Sequence, residues 1–302
     1  MKKFSIGGWY EKFDQLFSFL NYYYSHREYF YPDREIDSLY DTYCYGGIPL
    51  VWAGGRLPSI NSINLNKTMN IILNEIDNYP NIKLRHVFTN CLLNDEALLT
   101  DYRCNQFIQN YVRAKDEIIV NHPKLIQYLK EYYPYIPLIY STTMGIVDLN
   151  EVNKISKTNL FVLNYNKNND NDYINQLQYK HNIEILCGEI CIDECPYKQI
   201  HYVDISQAIL DAQLDCSNMN SHCYMDIHPE YVGDQEVITY SLSRKHGISN
   251  KRIDELSNIG IKNFKLSGRS FSIPEWLDII LYYLALPEYC SKIRQNLLNE
   301  WW

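Results

Sequence analysis

The chain has 302 residues, of which 46% are hydrophobic and 21% charged. That length buries a sizeable core and suits one large α/β domain or two small ones. The formal net charge of −8 leaves no overall basic balance to attract a polyanion, which argues against non-specific nucleic-acid binding.

Strand-like and helix-like segments alternate along the chain. Lys3 to Gly7 reads as a short strand, and Trp9 to Tyr24 follows with Phe13, Leu16, Phe17 and Leu20 at helical spacing. Ile48 to Val51 is a second apolar run, ending at Gly54-Gly55-Arg56. Asn66 to Ile76 is helical, Ile82 to Phe88 a strand ending at Thr89-Asn90, and Asp101 to Val112 helical again. Glu117 to Val120 is a strand ending at Asn121, which is placed to cap the helix opened by His122-Pro123. Pro137 to Tyr140 is a strand ending at Ser141-Thr142-Thr143, and Asp148 to Ile155 a short helix. Leu160 to Leu163 is a strand ending at Asn164, Asp172 to Leu177 a helix, and Ile183 to Leu186 a strand ending at Cys187.

The rhythm then breaks. Residues 188–234 read as irregular and cysteine-rich, and order returns with Val237 to Tyr240. Ser249 caps a helix running through Ile253, Leu256 and Ile259 to Gly260. Asn263 to Leu266 is the last strand, ending at Ser267-Gly268-Arg269. Ser272-Ile273-Pro274-Glu275 is a capping box that opens a final helix through Leu284.

About eight short apolar strands separated by helices imply parallel βαβ units. The expected architecture is a (β/α)8 barrel, possible imperfections included, over residues 1–302, with a doubly wound open sheet as the alternative. In a barrel the polar strand ends converge on one rim, where barrel enzymes place their sites. Arg56, Thr89, Asn90, Ser141, Asn164 and Arg269 are therefore the candidate substrate-binding residues. The two arginines suit an anionic group. The absence of any apolar run of about 18 residues excludes a transmembrane helix. The start, Met1-Lys2-Lys3-Phe4, lacks a signal-peptide apolar core, and a cytoplasmic location is expected. The 28 tyrosines read as half-buried packing with wet hydroxyls, since a basic groove to match base stacking is missing.

Nine cysteines, an odd number in a chain of this kind, disfavour a disulfide framework. Five fall between 187 and 223, which points to a metal or iron–sulfur site in that window. Cys191 and Cys195 are separated by three intervening residues with Pro196 after them, so one turn can aim both sulfurs at a single cluster. Cys216 and Cys223 are the nearest further ligand candidates, with Cys187 and Cys104 as alternatives and Cys44 outside them. Zinc is the competing metal, with His201 or His222 completing a mixed site. The spacing C-x3-C-x3-C differs from the C-x3-C-x2-C of radical S-adenosylmethionine proteins.

The stretch Ile183 to Tyr202, with its strand, its C-x3-C-Pro-Tyr-Lys run and His201-Tyr202, resembles the cluster segment of the collagenase-like peptidase (U32-type) family. Lys265-Leu266-Ser267-Gly268-Arg269 is similar to that family's K-hydrophobic-x-G-R signature, and the strand ends at Thr89-Asn90 and Ser141-Thr142 fit the same type of barrel. The resemblance implies a barrel holding a [4Fe-4S] cluster on four cysteines. It also implies oxygen-independent hydroxylation of a ubiquinone precursor or a tRNA base. The expected activity is therefore that of an iron–sulfur oxidoreductase on a small or RNA-linked substrate, a modified nucleotide included. The alternatives are a non-catalytic, cluster-carrying subunit of a heteromeric or homo-oligomeric assembly, and a peptidase as the family label suggests. The chain lacks H-E-x-x-H and G-x-S-x-G, so a hydrolase would rest on a cysteine with His201 or His228. The catalytic residues themselves are not identified by any motif.

Overall fold

Parallel strands alternate with helices for most of the chain. The computed structural model describes residues 1–38, 41–46, 50–54, 65–76, 78–79, 82–211, 236–268 and 271–302. Strand β1 (Lys2–Gly7) leads to α1 (Phe13–Ser25), then to the two-residue strands β2 (Arg34–Glu35) and β3 (Asp37–Ser38), β4 (Asp41–Gly46) and α2 (Leu65–Ile76). The units continue as β5 (Ile82–Phe88), α3 (Glu96–Leu99), α4 (Tyr102–Tyr111), β6 (Glu117–Val120) and α5 (Pro123–Tyr132). Next come β7 (Leu138–Tyr140), α6 (Leu149–Ser156), β8 (Leu160–Val162), α7 (Asn171–Gln176), β9 (Ile183–Cys187) and α8 (Lys198–Leu210). The last elements are α9 (Val237–Ser243), α10 (Asn250–Asn258), β10 (Asn263–Leu266), α11 (Ile273–Leu284) and α12 (Pro287–Trp301).

Helix starts follow capping chemistry. The side chains of Asp95, Asp101, Asp148, Asp170 and Ser249 each accept a first-turn backbone N–H. The Ser272–Glu275 capping box is complete in both directions.

Eight strands form one curled parallel sheet in the order β1-β10-β9-β8-β7-β6-β5-β4. β1 pairs in parallel with β10 (Phe4 opposite Phe264) and also with β4 (Ile6 opposite Cys44). The short β2 lies beside β1, and β3 runs antiparallel to β4. The period-2 alternation of strands sorts side chains to the two faces. On β5, His86 and Phe88 meet Phe107 of α4 in edge-to-face contacts. Arg85, one residue on, instead reaches Glu184 of β9 at 2.6 Å. β5 and β9 are separated by three strands, so this bond crosses the concave interior. Above it, Val87, Ile119, Ile139 and Val162 make a small inner cluster distinct from the helix-facing core.

Several expectations need correction. The span 188–234 is not irregular throughout, since α8 supplies thirteen helical residues within it. Its apolar residues make no single stripe: Ile205 and Ile209 are buried, whereas Ile200 and Val203 are 45% and 42% exposed. No helical period is therefore readable there. Asn121 is not a cap. The cap position belongs to His122, and the Asn121 side-chain amide donates to Thr89 O at 2.9 Å. β4 is a sheet strand that the apolar runs did not mark, and of the run 48–51 residues 48 and 49 lie outside the described residues. Beyond the expected final helix, Pro287 opens one more.

Asp116, fully buried, ties the outer side of the sheet together. It accepts from Leu84 N at 2.9 Å, from Arg113 N at 3.0 Å and from the Arg113 guanidinium at 2.7 Å. Burial alone would raise this carboxyl, but His86, with Nε2 3.6 Å away, and the hydrogen bonds from Arg113 outweigh it and hold it well below the usual carboxylate range. A depressed folded-state value stabilises the fold above the unfolded value of about 4 and ceases to do so as the pH falls through the folded one. Asp116→Ala should lower the unfolding free energy at neutral pH by about 3–5 kcal/mol, the cost of breaking a buried pair. Urea titrations at neutral and acidic pH test this, with a smaller difference expected in acid. An unchanged midpoint at neutral pH would refute the role.

Candidate functional site

The carboxyl ends of the strands open into one cavity of about 120 Å³. Val87, Ile119 and Leu186 line it from within β5, β6 and β9, and Thr89, Ser141, Tyr165 and Ser267 from just beyond strand ends. Cys191 and Cys195 line it from the loop between β9 and α8, together with Glu189. Lys198, His201, Tyr202 and Ile205 complete it from the first turns of α8.

The cysteine loop has no regular backbone hydrogen-bonding partner strand, and side chains hold it instead. Gly188 opens it with φ at +75°, a conformation that favours glycine, and a Cβ there would press on Ile279 at 3.1 Å. The Glu189 carboxylate turns back to accept from Ile190 N and Cys191 N, both at 2.9 Å. Ser241 of α9 donates to Glu189 O at 2.9 Å, and Asp193 meets buried His246 Nδ1 at 2.8 Å. Both thiols are half-buried. Cys91 lies against α8, with Sγ 3.2 Å from Ser206 Oγ and Sγ–H donating to Tyr202 O at 3.5 Å.

Two groups give the cavity its electrostatics. Lys198 Nζ sits 3.9 Å from the centre of the Tyr165 ring, a cation–π contact. Burial lowers the Lys198 ammonium, opposed by Glu189, Cys191 and Cys195 nearby. Burial first, and then Cys191 beside it, raises the Tyr165 phenol far above its ordinary value. Tyr165 therefore stays a neutral hydroxyl at the thiol.

The expected site residues divide sharply. Thr89, Ser141, Cys191 and Cys195 line the cavity. Asn90 does not: its amide donates to Val51 O at 2.7 Å and its carbonyl accepts from Leu92 N, so it shapes the loop after β5. Asn164 likewise accepts from Asn166 N at 3.2 Å as a cap. Arg56, Arg269, Cys216 and Cys223, as well as His222 and His228, lie outside the described residues.

Cys187, Cys104 and Cys44 are each fully buried in the helix-facing core, away from the cavity lining. Burial pushes the Cys44 thiol up to about 12 and raises the Cys104 and Cys187 thiols as well. Such thiols do not readily become the thiolates that bind metal. Among the described residues no group of three or more His, Cys, Asp or Glu is placed to hold a metal ion. His201, expected as a possible zinc ligand or base, lines the cavity; Lys198, Tyr202 and Lys265 line it too without having been given a role, although all four stand inside the runs that carried the family resemblance. Glu189 stands inside the same 183–202 run, whereas Tyr165 left no such signal.

A curled parallel β/α sheet with a cavity at the carboxyl ends of its strands, apolar at its floor and polar at its rim, defines a barrel-like pocket protein. The family model for peptidase family U32 matches residues 81–300, and the chain belongs to that family. No curated protein and no solved structure matches the chain. No helix among the described residues is long and apolar enough to cross a membrane.

The burial pattern orders the thiols by reactivity. In metal-free, reduced protein, iodoacetamide should modify Cys191 and Cys195 well before Cys44, Cys104 and Cys187, as read by peptide mass spectrometry over time. Equal rates for Cys187 and Cys191 would contradict this placement.

Proposed function

We propose that this U32-family chain is an iron–sulfur oxidoreductase that holds a [4Fe-4S] cluster at the mouth of its cavity and acts on a small or RNA-linked substrate within it. The observation that carries the reading is that Cys191 and Cys195, brought by one loop, line the same cavity as the strand-end hydroxyls of Thr89 and Ser141. Two half-buried thiols in one turn fit two corners of a cluster, and Cys216 and Cys223 are proposed as the other two ligands. When bound, such a cluster supplies one-electron transfer, which side chains cannot. The protein's own part is to hold substrate and keep water out. Val87, Ile119 and Leu186 offer an apolar floor, Lys198 a cation, and Tyr165 a neutral phenol beside Cys191. The pairing of β1 with β4 supports a complete (β/α)8 barrel as the scaffold, formed as one domain over residues 1–302.

A hydrolase is the second reading, and one observation favours it: His201 lines the cavity with the two cysteines, as a thiol nucleophile and its base would. A cluster-carrying subunit that relays electrons to a partner would use the same ligands. Anaerobic purification followed by iron analysis and a visible spectrum divides these readings. The expected result is about four irons per chain with broad visible absorbance, lost in Cys191→Ala and in Cys195→Ala. A colourless protein that binds one zinc, or that cleaves peptides without iron, would overturn the proposal. Turnover of candidate substrates by the isolated chain then separates the enzyme from the relay subunit.

A further inference from the structure

Four residues that line the cavity carry a polar atom with no hydrogen-bond partner. Lys198 Nζ, Thr89 Oγ1, Thr142 Oγ1 and the Tyr165 hydroxyl are buried and have no hydrogen-bond partner among the described residues. All four residues line the same cavity, and Thr89 as a whole is only 3% exposed. Buried polar groups in folded proteins are nearly always paired. An ammonium and three hydroxyls left open around one cavity therefore describe the complement of a ligand.

We infer that the cavity holds the carboxylate of a small organic acid, with Lys198 Nζ and the Thr89 and Thr142 hydroxyls donating to its oxygens and Val87, Ile119 and Leu186 taking its apolar body. The inference rests on the proposed function only in placing the substrate in this chamber, and it adds the substrate's class. A carboxylate accepts several hydrogen bonds and makes charge-assisted ones with an ammonium. One negative charge matches the Lys198 ammonium, which has no hydrogen-bond partner among the described residues. Lys265 also lines the cavity but has a partner of its own, and a dianionic phosphate would add a second negative charge beside Glu189. Size limits the body: about 120 Å³ is close to the roughly 150 Å³ that holds one benzene ring.

The test is calorimetric titration of the full chain, purified without oxygen, with benzoate, benzamide and phenyl phosphate. Benzoate should bind saturably, with benzamide and phenyl phosphate each at least about ten-fold weaker, because a charge-assisted hydrogen bond contributes on that order. Lys198→Met should weaken benzoate by a similar factor, Lys198→Arg should restore part of it, and Thr89→Val should weaken it several-fold. Each variant is first checked for an unchanged melting curve, so that the hydroxyl variant still decides the matter if the lysine variant unfolds. Benzamide binding as tightly as benzoate, benzoate binding unaffected by either variant, or no benzoate binding at all overturns the inference. Tighter binding of phenyl phosphate overturns the carboxylate in favour of a phosphoryl group. Iron measured on the same samples keeps the two proposals apart. Iron retained without benzoate binding counts against this inference alone, and benzoate binding without iron counts against the cluster alone.

Discussion

Arg85 crosses the interior of the curled sheet to reach Glu184 at 2.6 Å, and on its own side meets Glu117 at 2.7 Å. Ser5 of β1 donates to the same Glu184 oxygen at 3.1 Å. Four strands are thereby tied at one level: β1, β5, β6 and β9. A buried ion pair adds little net stability over an apolar pair of the same size, but losing one partner costs about 3–5 kcal/mol. Its main consequence here is register. A slip of one residue would aim Arg85 into the helical layer, where Leu84 and His86 now pack.

Everything in the cavity follows from that register. Two residues beyond Arg85, Glu117 and Glu184, the same inward faces carry Val87, Ile119 and Leu186, which form the cavity floor. Two residues further along β5 stands Thr89 at the rim. The charged layer thus sits beneath an apolar one, and the apolar one beneath a ring of hydroxyls. The cysteine loop closes over this ring, pinned by Ser241 and by the contact of Asp193 with His246. Segments far apart in sequence, 189–195 and 241–246, are needed to hold two thiols at one opening.

Much of the fold was legible because parallel β/α units write themselves into sequence as short apolar runs separated by helical stripes and capping residues. The strands at 82–88, 117–120, 183–187 and 263–266 and the Ser272 capping box were readable for this reason. Where the pattern failed, a local cause is visible. α8 distributes its apolar residues between the cavity, the core and solvent, so it has no stripe. Asn121 carries a good capping side chain, yet its amide is drawn to Thr89 O across the neighbouring strand end. Asn90 and Asn164 looked like rim residues and instead satisfy backbone groups: Asn164 that of its own turn, Asn90 both its own turn and the distant Val51 O.

The sequence by itself determined the alternation of elements, the family-like runs around Cys191 and Lys265, and the pairing of Cys191 with Cys195, because each of these is local along the chain. Only the tertiary structure decided which cysteines face a cavity and which are core. Cys187, four residues before Cys191, ends an outward-facing strand position and is sealed among helices, while Cys191 turns over the mouth. Only the tertiary structure, too, set Lys198 against Tyr165 and into the same cavity lining as Thr89 and Thr142. The physical reason is that periodicity and capping are properties of neighbours in sequence. Burial and the pairing of polar atoms depend on which strands lie side by side.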